Sequence, residues 1–229
     1  MSEWWTYSLS DFLLFSPRTY YRLFEIYNTA IWPGQFLALA VGAVIAALLM
    51  LVRPWRDRVI LVLLGACWLW VACAFLFKRY ASINWAATYF AVAFAIEALL
   101  IIGTAVFSRP VSEIRSAPNW PDRIGVTLFL FALAIQPLIG PVAGRSWSQL
   151  EIFGVAPDPT VIGTLGLLLI MRGGMKGIWF AIPIIWCSIT GATLWTMHAP
   201  DALVAPVAAM LTLLGIVARA RRSSHKLAA

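Results

Sequence analysis

The sequence predicts an all-α protein, a bundle of membrane-spanning helices. Hydrophobic residues make up 62% of the chain and charged residues only 12%, which is far from the composition of soluble domains. The mean hydropathy of +0.84 agrees with this class. Long apolar runs fill most of the 229 residues, so little length is left for a soluble catalytic domain. We therefore expect a single polytopic membrane domain.

Residues 1–30 precede the first apolar run and are too polar to span a bilayer. They lack the basic start and apolar core of a signal peptide. Ser16 followed by Pro17 is typical of a helix N-terminus. We expect an amphipathic helix here, lying on the outer surface and bending into the first span at Pro33 and Gly34. Its apolar face is formed by Tyr20, Leu23, Phe24 and Tyr27.

Seven apolar runs follow within residues 31–218, and each is predicted to be a transmembrane helix. They cover residues 32–52, 59–77, 85–107, 124–140, 160–171, 178–197 and 202–218. The remaining residues, 219–229, form a basic tail. The predicted architecture is thus about seven transmembrane helices with one amphipathic surface helix before them.

Lys and Arg residues divide unevenly between the two sides of this seven-span arrangement. With the N-terminus outside, twelve fall on the cytoplasmic side and five on the outer side. Because basic residues in short loops stay in the cytoplasm, we expect the N-terminus outside and the C-terminus inside. The net charge of +7 then reflects topology and attraction to anionic lipids. The expected partner is the lipid bilayer, and nucleic acid is not expected.

The fifth run is too short to cross a bilayer as regular helix. Its twelve residues would cover about 18 Å of a hydrocarbon core about 30 Å thick. The preceding FGVAPDPT contains two prolines, which predicts irregular backbone at 154–157 and a helix beginning at Pro159 or Thr160. Asp158 stands at this break. It is either the N-cap of the helix or part of a binding site, because interrupted helices form such sites in transporters.

Glu97 lies near the middle of the third run. A charge there is costly, so we expect the carboxyl group to face the bundle interior and to be neutral. It either donates a hydrogen bond to a neighbouring helix or serves as a protonatable group in a path for an ion or solute. Thr104 lies on the same helix face and offers a hydroxyl group.

Three further polar residues mark the predicted outer side. Gln136 lies near the end of the fourth run, and Lys78 and Arg79 follow the second. An amide in a span often links helices, and long basic side chains often reach for lipid head groups. The alternatives for Lys78 and Arg79 are an anion-attracting mouth, or ion pairs with Asp158, Asp201 or the acidic residues of the N-terminal segment.

The residue patterns of enzymes are missing from the sequence. The chain has two histidines, and its three cysteines show no CxxC spacing. The glycine-rich RGGMKG lacks the spacing of a phosphate-binding loop and is predicted to be a tight turn. We therefore expect no enzyme activity, no metal site and no cofactor.

Four strings resemble an uncharacterised family of bacterial multi-pass membrane proteins that are sometimes loosely labelled permeases. They are SDFLLFSPRTYYRLFEIYNTAIWP, INWAATYFAVAF, FGVAPDPTVIGTLGLLL and IPIIWCSITGA. The resemblance extends over nearly the whole chain. It implies a location in the bacterial inner membrane and no known reaction.

Two functions remain open from the sequence. The first is a permease for a small solute or ion, with a site near Glu97 and the broken fifth helix at Asp158. The other residues assigned to this site are Thr104, Gln136, Lys78 and Arg79. The second is a non-catalytic accessory or assembly subunit, in which Glu97 serves packing against a membrane-protein partner or a second copy of the chain.

Overall fold

The computed structural model describes residues 15–107, 119–171 and 177–227, with the backbone alone for 222–227. Within these ranges every regular element is helical, as predicted. The α-helices are α1 (Pro17–Ala30), α2 (Gly34–Met50), α3 (Arg56–Trp70), α4 (Ala87–Phe107), α5 (Trp120–Leu130), α6 (Gln136–Val142), α7 (Pro157–Ile170), α8 (Ala181–Thr196) and α9 (Val204–Leu227). A π-helical segment, Val71–Phe77, extends α3, and another, Phe131–Ile135, joins α5 to α6.

Some predicted segments lie wholly or partly outside the described residues. These are the first part of the N-terminal segment, most of the predicted RGGMKG turn and the last two residues of the basic tail. From Arg219 to Leu227 the tail continues α9.

The first helix begins as predicted. Ser16 is its N-cap, and the Ser16 hydroxyl oxygen accepts a hydrogen bond from the backbone N–H of Thr19 at 3.2 Å. α1 meets α2 at 91°, which confirms the bend at Pro33 and Gly34. The predicted apolar face is buried, but it packs on protein: the Phe24 ring lies 4.8 Å from the Phe75 ring. α1 therefore covers the end of the bundle where α3 and its π-helical extension finish.

Among the described residues, five helical segments are long and apolar enough to cross a membrane, and the bent pair of α1 and α2 makes a sixth candidate. Length and composition therefore identify five or six candidate spans, not the predicted seven. Two predicted runs account for the difference: α2 has 17 residues and qualifies only together with α1, and α7 has only 14 residues.

The short helix α7 is the centre of the fold. Every residue from 151 to 171 is buried, and α7 packs against α3, α5, α8 and α9. Its closest neighbour is α5: a Cβ on Gly166 would lie 2.5 Å from the carbonyl oxygen of Gly125. Because no side chain fits between these two backbones, the two glycines fix how closely the helices approach.

The start of α7 differs from the prediction. The helix begins at Pro157, not at Pro159 or Thr160. Both prolines fit in the first turn because their missing N–H groups would have no helical partner there. The irregular backbone before the helix is as expected, and Gly154 takes a left-handed conformation with φ 84°.

Candidate functional site

Arg145 is the centre of a buried charge cluster at one end of the bundle. It follows α6, and its guanidinium group donates hydrogen bonds to Glu151 Oε1 at 3.1 Å and to Asp201 Oδ2 at 2.5 Å. The same group lies 4.5 Å above the centre of the Tyr21 ring. One cation thereby connects the α6–α7 loop, the α8–α9 loop and α1. We call this side of the molecule the Arg145 end.

A glycine makes room for the arginine. The backbone N–H of Arg145 donates to the carbonyl oxygen of Gly140 at 2.9 Å. A Cβ on Gly140 would lie 2.9 Å from Arg145 Nε and 3.1 Å from Cζ. The guanidinium group is therefore held directly against the backbone of α6.

Asp158 does not cap α7. The N-cap is Ala156, and Asp158 lies in the first turn, so the interpretation of Asp158 as the N-cap is wrong. Its carboxylate instead accepts hydrogen bonds from the indole N–H of Trp186 at 2.7 Å and from the hydroxyl of Thr190 at 2.8 Å. Both donors belong to α8, so Asp158 joins the two helices inside the bundle.

The depth of Asp158 follows from its partners. Thr190 and Trp186 lie six and ten residues before the end of α8 at Thr196. At 1.5 Å per residue, Asp158 is about 9–15 Å below this end of the helix. The residues that lead down to it have irregular backbone, which inside a bundle must find its hydrogen-bond partners in the protein.

α1 supplies several of those partners. The Tyr27 hydroxyl donates to the carbonyl oxygen of Val155 at 2.9 Å. The side-chain amide of Asn28 donates to the carbonyl oxygens of Ser148 and Leu150 at 2.9 and 2.8 Å. The surface helix thus holds the segment that descends to Asp158.

A small polar cavity lies between the Arg145 cluster and Asp158. Its volume of about 10 Å³ is close to the space of one water molecule. Its polar lining consists of Gln136, Arg145, Gln149, Glu151, Asp158 and Asp201.

Three buried polar atoms of this lining have no hydrogen-bond partner among the described residues. They are Gln136 Oε1, Arg145 Nε and Asp201 Oδ1. Buried polar groups are normally paired, because burial without a partner costs about 1–3 kcal/mol. The cavity therefore has the chemistry of a site for a small polar ligand.

Glu97 is buried as expected, but it lies outside this cavity. Its side chain is 0% exposed, and neither carboxyl oxygen has a partner in the described part of the chain. Thr104 does not pair with it, because the Thr104 hydroxyl donates to the carbonyl oxygen of Leu100 at 2.8 Å. The expected hydrogen bond from Glu97 to a neighbouring helix is therefore wrong for the residues described.

Aromatic side chains link the regions of Glu97 and Asp158. Phe94, one helical turn before Glu97, lies 4.9 Å from the Trp186 ring, whose N–H binds Asp158. On its other side Phe94 lies 4.3 Å from Trp68. A layer of three aromatic rings thus packs between α3, α4 and α8.

Lys78 and Arg79 do not join the cluster. Lys78 is exposed and Arg79 is partly exposed, and neither forms an ion pair with another described residue. The alternative in which they pair with Asp158 or Asp201 is wrong, because Asp201 pairs with Arg145 and Asp158 binds uncharged donors.

Of the six residues predicted for the site, the structure brings Asp158 and Gln136 together at one cavity. Sequence reasoning missed Arg145, Glu151 and Asp201. A signal was available in the sequence. The predicted topology places all three residues on the same side of the membrane as Asp158, and the charge of Arg145 is opposite to that of Glu151 and Asp201.

A metal centre is not seen in the described ranges, where no three His, Cys, Asp or Glu side chains are grouped closely enough to hold a metal ion. The three carboxyl groups around the cavity are therefore not arranged as a multidentate metal site.

The comparison with protein families covers the whole of this architecture. A family model described as a family of unknown function, DUF6064, matches residues 18–226. The chain belongs to the DUF6064 family. The match includes α1, the central helix and the Arg145 cluster of this DUF6064 protein. No curated protein and no solved structure matches the chain.

Proposed function

We propose that this DUF6064 protein is a permease of the bacterial inner membrane that moves a small solute or ion, and that it is not an enzyme. The observation that carries the proposal is the polar cavity with unpartnered buried atoms at the start of a short central helix. Interrupted helices whose ends lie inside the bundle are where transporters place their substrate sites. Asp158 occupies such a helix end.

The proposed path continues from the cavity toward Glu97. Trp186 binds Asp158 on one side and packs against Phe94 on the other. Glu97 follows Phe94 by one turn and is a buried carboxyl group without a partner among the described residues. A protonatable group at this depth is expensive to keep, which favours a functional role.

The proposed topology has seven crossings, with α7 as the fifth. Contacts at the two ends of α7 support a crossing by this helix. Asp158 binds Thr190 below the Arg145 end, and the carbonyl oxygen of Leu169 accepts a hydrogen bond from Arg219 at the opposite end. The uneven division of Lys and Arg supports an outer location for the Arg145 end.

The orientation can be measured with reporter fusions. A reporter that is active only in the periplasm should be silent at residue 229, because seven crossings bring the C-terminus to the cytoplasm. The same reporter fused after Asn84, in the α3–α4 loop, should be active. Periplasmic activity at residue 229 would show that α7 does not complete a crossing.

Transport can be tested with purified protein in proteoliposomes. The probe is proton flux, followed with a pH-sensitive dye inside the vesicles after a membrane potential is imposed. We expect flux above that of empty vesicles, and Glu97→Gln should abolish it. The protein should stay folded, because Glu97 loses no hydrogen bond seen in the described residues.

Thr193→Val is a matched control, since it removes a hydroxyl outside the proposed path that donates only to its own helix, at the carbonyl oxygen of Ile189. It should leave the flux within about twofold of the unsubstituted protein, as expected of a change of well under 1 kcal/mol. Equal flux in the Glu97→Gln and unsubstituted proteins would contradict a role of Glu97 in the path.

The second candidate is an accessory subunit of a membrane complex. It is favoured by one observation: Arg145 already pairs with two carboxylates, as in a structural connection between loops. Purification in a mild detergent separates the candidates. A stoichiometric membrane-protein partner together with absent flux would favour the subunit, whereas flux by the protein alone or as a homo-oligomer favours the permease.

A further inference from the structure

We propose that the cavity between Asp201 and Gln136 binds one monovalent cation, as an alkali-metal ion or as a proton. This inference deepens the proposed function by naming the ion of the permease. It can be tested by binding alone, without transport.

The first argument is the balance of charge. Among the described residues, three carboxyl groups, of Glu151, Asp158 and Asp201, line the cavity together with one guanidinium group, that of Arg145. Arg145 contacts two of them, while the carboxylate of Asp158 binds only the uncharged Trp186 and Thr190. Negative charge therefore exceeds positive charge in a buried place, which is costly unless a cation or a proton is bound.

No other described side chain facing the cluster supplies a positive charge. α1 contributes Tyr20 and Tyr21, the short 3₁₀-helix Tyr80–Ser82 contributes Tyr80, and α8 contributes Cys187. Phenol and thiol groups are neutral at neutral pH. These side chains therefore do not balance the negative charge of the carboxyl groups.

The second argument is independent of charge and rests on unpartnered oxygens. Gln136 Oε1 and Asp201 Oδ1 are buried atoms of two cavity-lining residues, each of which is 9% exposed as a whole, and neither oxygen accepts a hydrogen bond from a described residue. Both are oxygen acceptors, the ligand type that hard cations prefer. Arg145 Nε is a donor, so the ligands of the cation are these two oxygens.

The third argument is size. About 10 Å³ accommodates one water-sized sphere, which leaves no room inside the cavity for a large organic cation. A divalent ion is disfavoured, because the described residues bring no three strong ligands together. A dehydrated monovalent ion or a proton fits both restrictions.

Thermal unfolding of the full protein in detergent tests the inference. NaCl, LiCl and KCl are each compared with choline chloride at the same ionic strength and pH. If an alkali-metal ion binds, at least one of these salts should raise Tm by about 5–10 °C at a concentration a hundred times its Kd. If a proton binds, the salts act alike, and Tm falls as the pH is raised because the folded state holds that proton more tightly than the unfolded chain.

Two variants connect either effect to the cavity. Asp201→Asn and Gln136→Met should each remove the dependence of Tm on the added ion or on pH. Gln35→Met is the matched control, because Gln35 is also a buried amide with an unpartnered Oε1 but does not line the cavity. The Tm of Gln35→Met should still depend on the ion or on pH. Its absolute Tm should be lower, because the substitution removes the hydrogen bond that Gln35 donates to the carbonyl oxygen of Asn28.

Asp201→Asn also distinguishes a cation site from an ordinary ion pair. If Asp201 only balances Arg145, its neutral variant should unfold at much lower temperature under all conditions. If the cluster carries surplus negative charge, the variant should be about as stable as the cation-bound protein. Equal Tm in all salts together with a pH dependence that survives in Asp201→Asn would overturn the inference. Ion-dependent stabilisation without flux would instead leave the binding site standing and contradict the permease.

Discussion

Replacing Arg145 with methionine is expected to destabilise the fold by about 3–5 kcal/mol. The substitution keeps much of the side-chain volume but removes the guanidinium group that lines the cavity. It leaves Glu151 and Asp201 buried without their cation, and removal of one partner from a buried ion pair costs far more than the pair contributes. Unfolding of the purified protein in mixed micelles, followed by helical circular dichroism, measures the loss.

Arg79→Met is the matched control for this experiment. Arg79 lies at the same end of the bundle and forms no ion pair with a described residue. Its replacement should change the free energy of unfolding by no more than about 0.5 kcal/mol. Similar losses for the two arginine variants would mean that the Arg145 cluster is not a buried charge network.

A triple variant separates lost charge balance from lost packing. Adding Glu151→Gln and Asp201→Asn to Arg145→Met removes the unpaired charges while it keeps the shapes of the side chains. Because neighbouring substitutions in one network are not additive, this variant should be more stable than Arg145→Met alone. A further loss in the triple variant would show that hydrogen bonding, not charge, dominates the cluster.

The sequence allowed prediction of features that depend on near neighbours or on the bilayer. The N-cap at Ser16 and the bend at Pro33 follow from local backbone chemistry, and the structure confirms both. The short fifth span was recognisable from the length of its apolar run, since twelve residues cover only about 18 Å as helix, and the observed helix has 14 residues. Burial of Glu97 followed from the cost of a carboxyl group in hydrocarbon.

The misread features depend on contacts between distant segments. An Asp followed by Pro resembles an N-cap, but Pro157 starts the helix earlier and places Asp158 opposite donors 28 and 32 residues away. Arg145 similarly meets Asp201 across 56 residues of chain. No periodicity or spacing in the sequence encodes contacts over such separations. The cavity could therefore not be predicted, because its lining depends on how α6, α7 and α8 pack together.

The close approach of α5 and α7 gives the second large effect: Gly166→Val should destabilise the fold by at least about 3 kcal/mol. A Cβ at this position would lie 2.5 Å from the Gly125 carbonyl oxygen and 2.8 Å from the Phe129 backbone nitrogen. Both atoms belong to the backbone of α5, so no side chain can turn aside to relieve the clash. The helices must separate, which opens the packing around the central helix. The loss is measured by unfolding in mixed micelles and by the yield of folded protein.

Gly103→Val is the matched control, because a Cβ on Gly103 meets no atom within 4 Å. It lies in α4, where replacement of Gly by Val should be neutral or slightly stabilising, since glycine is the poorer helix former. Gly125→Ala should reproduce part of the loss, as its Cβ would lie 2.6 Å from the Gly166 carbonyl oxygen. If Gly166→Val and Gly103→Val unfold at the same temperature, α5 and α7 do not approach closely at Gly125 and Gly166. The position of α7 in the bundle would then not depend on these two glycines.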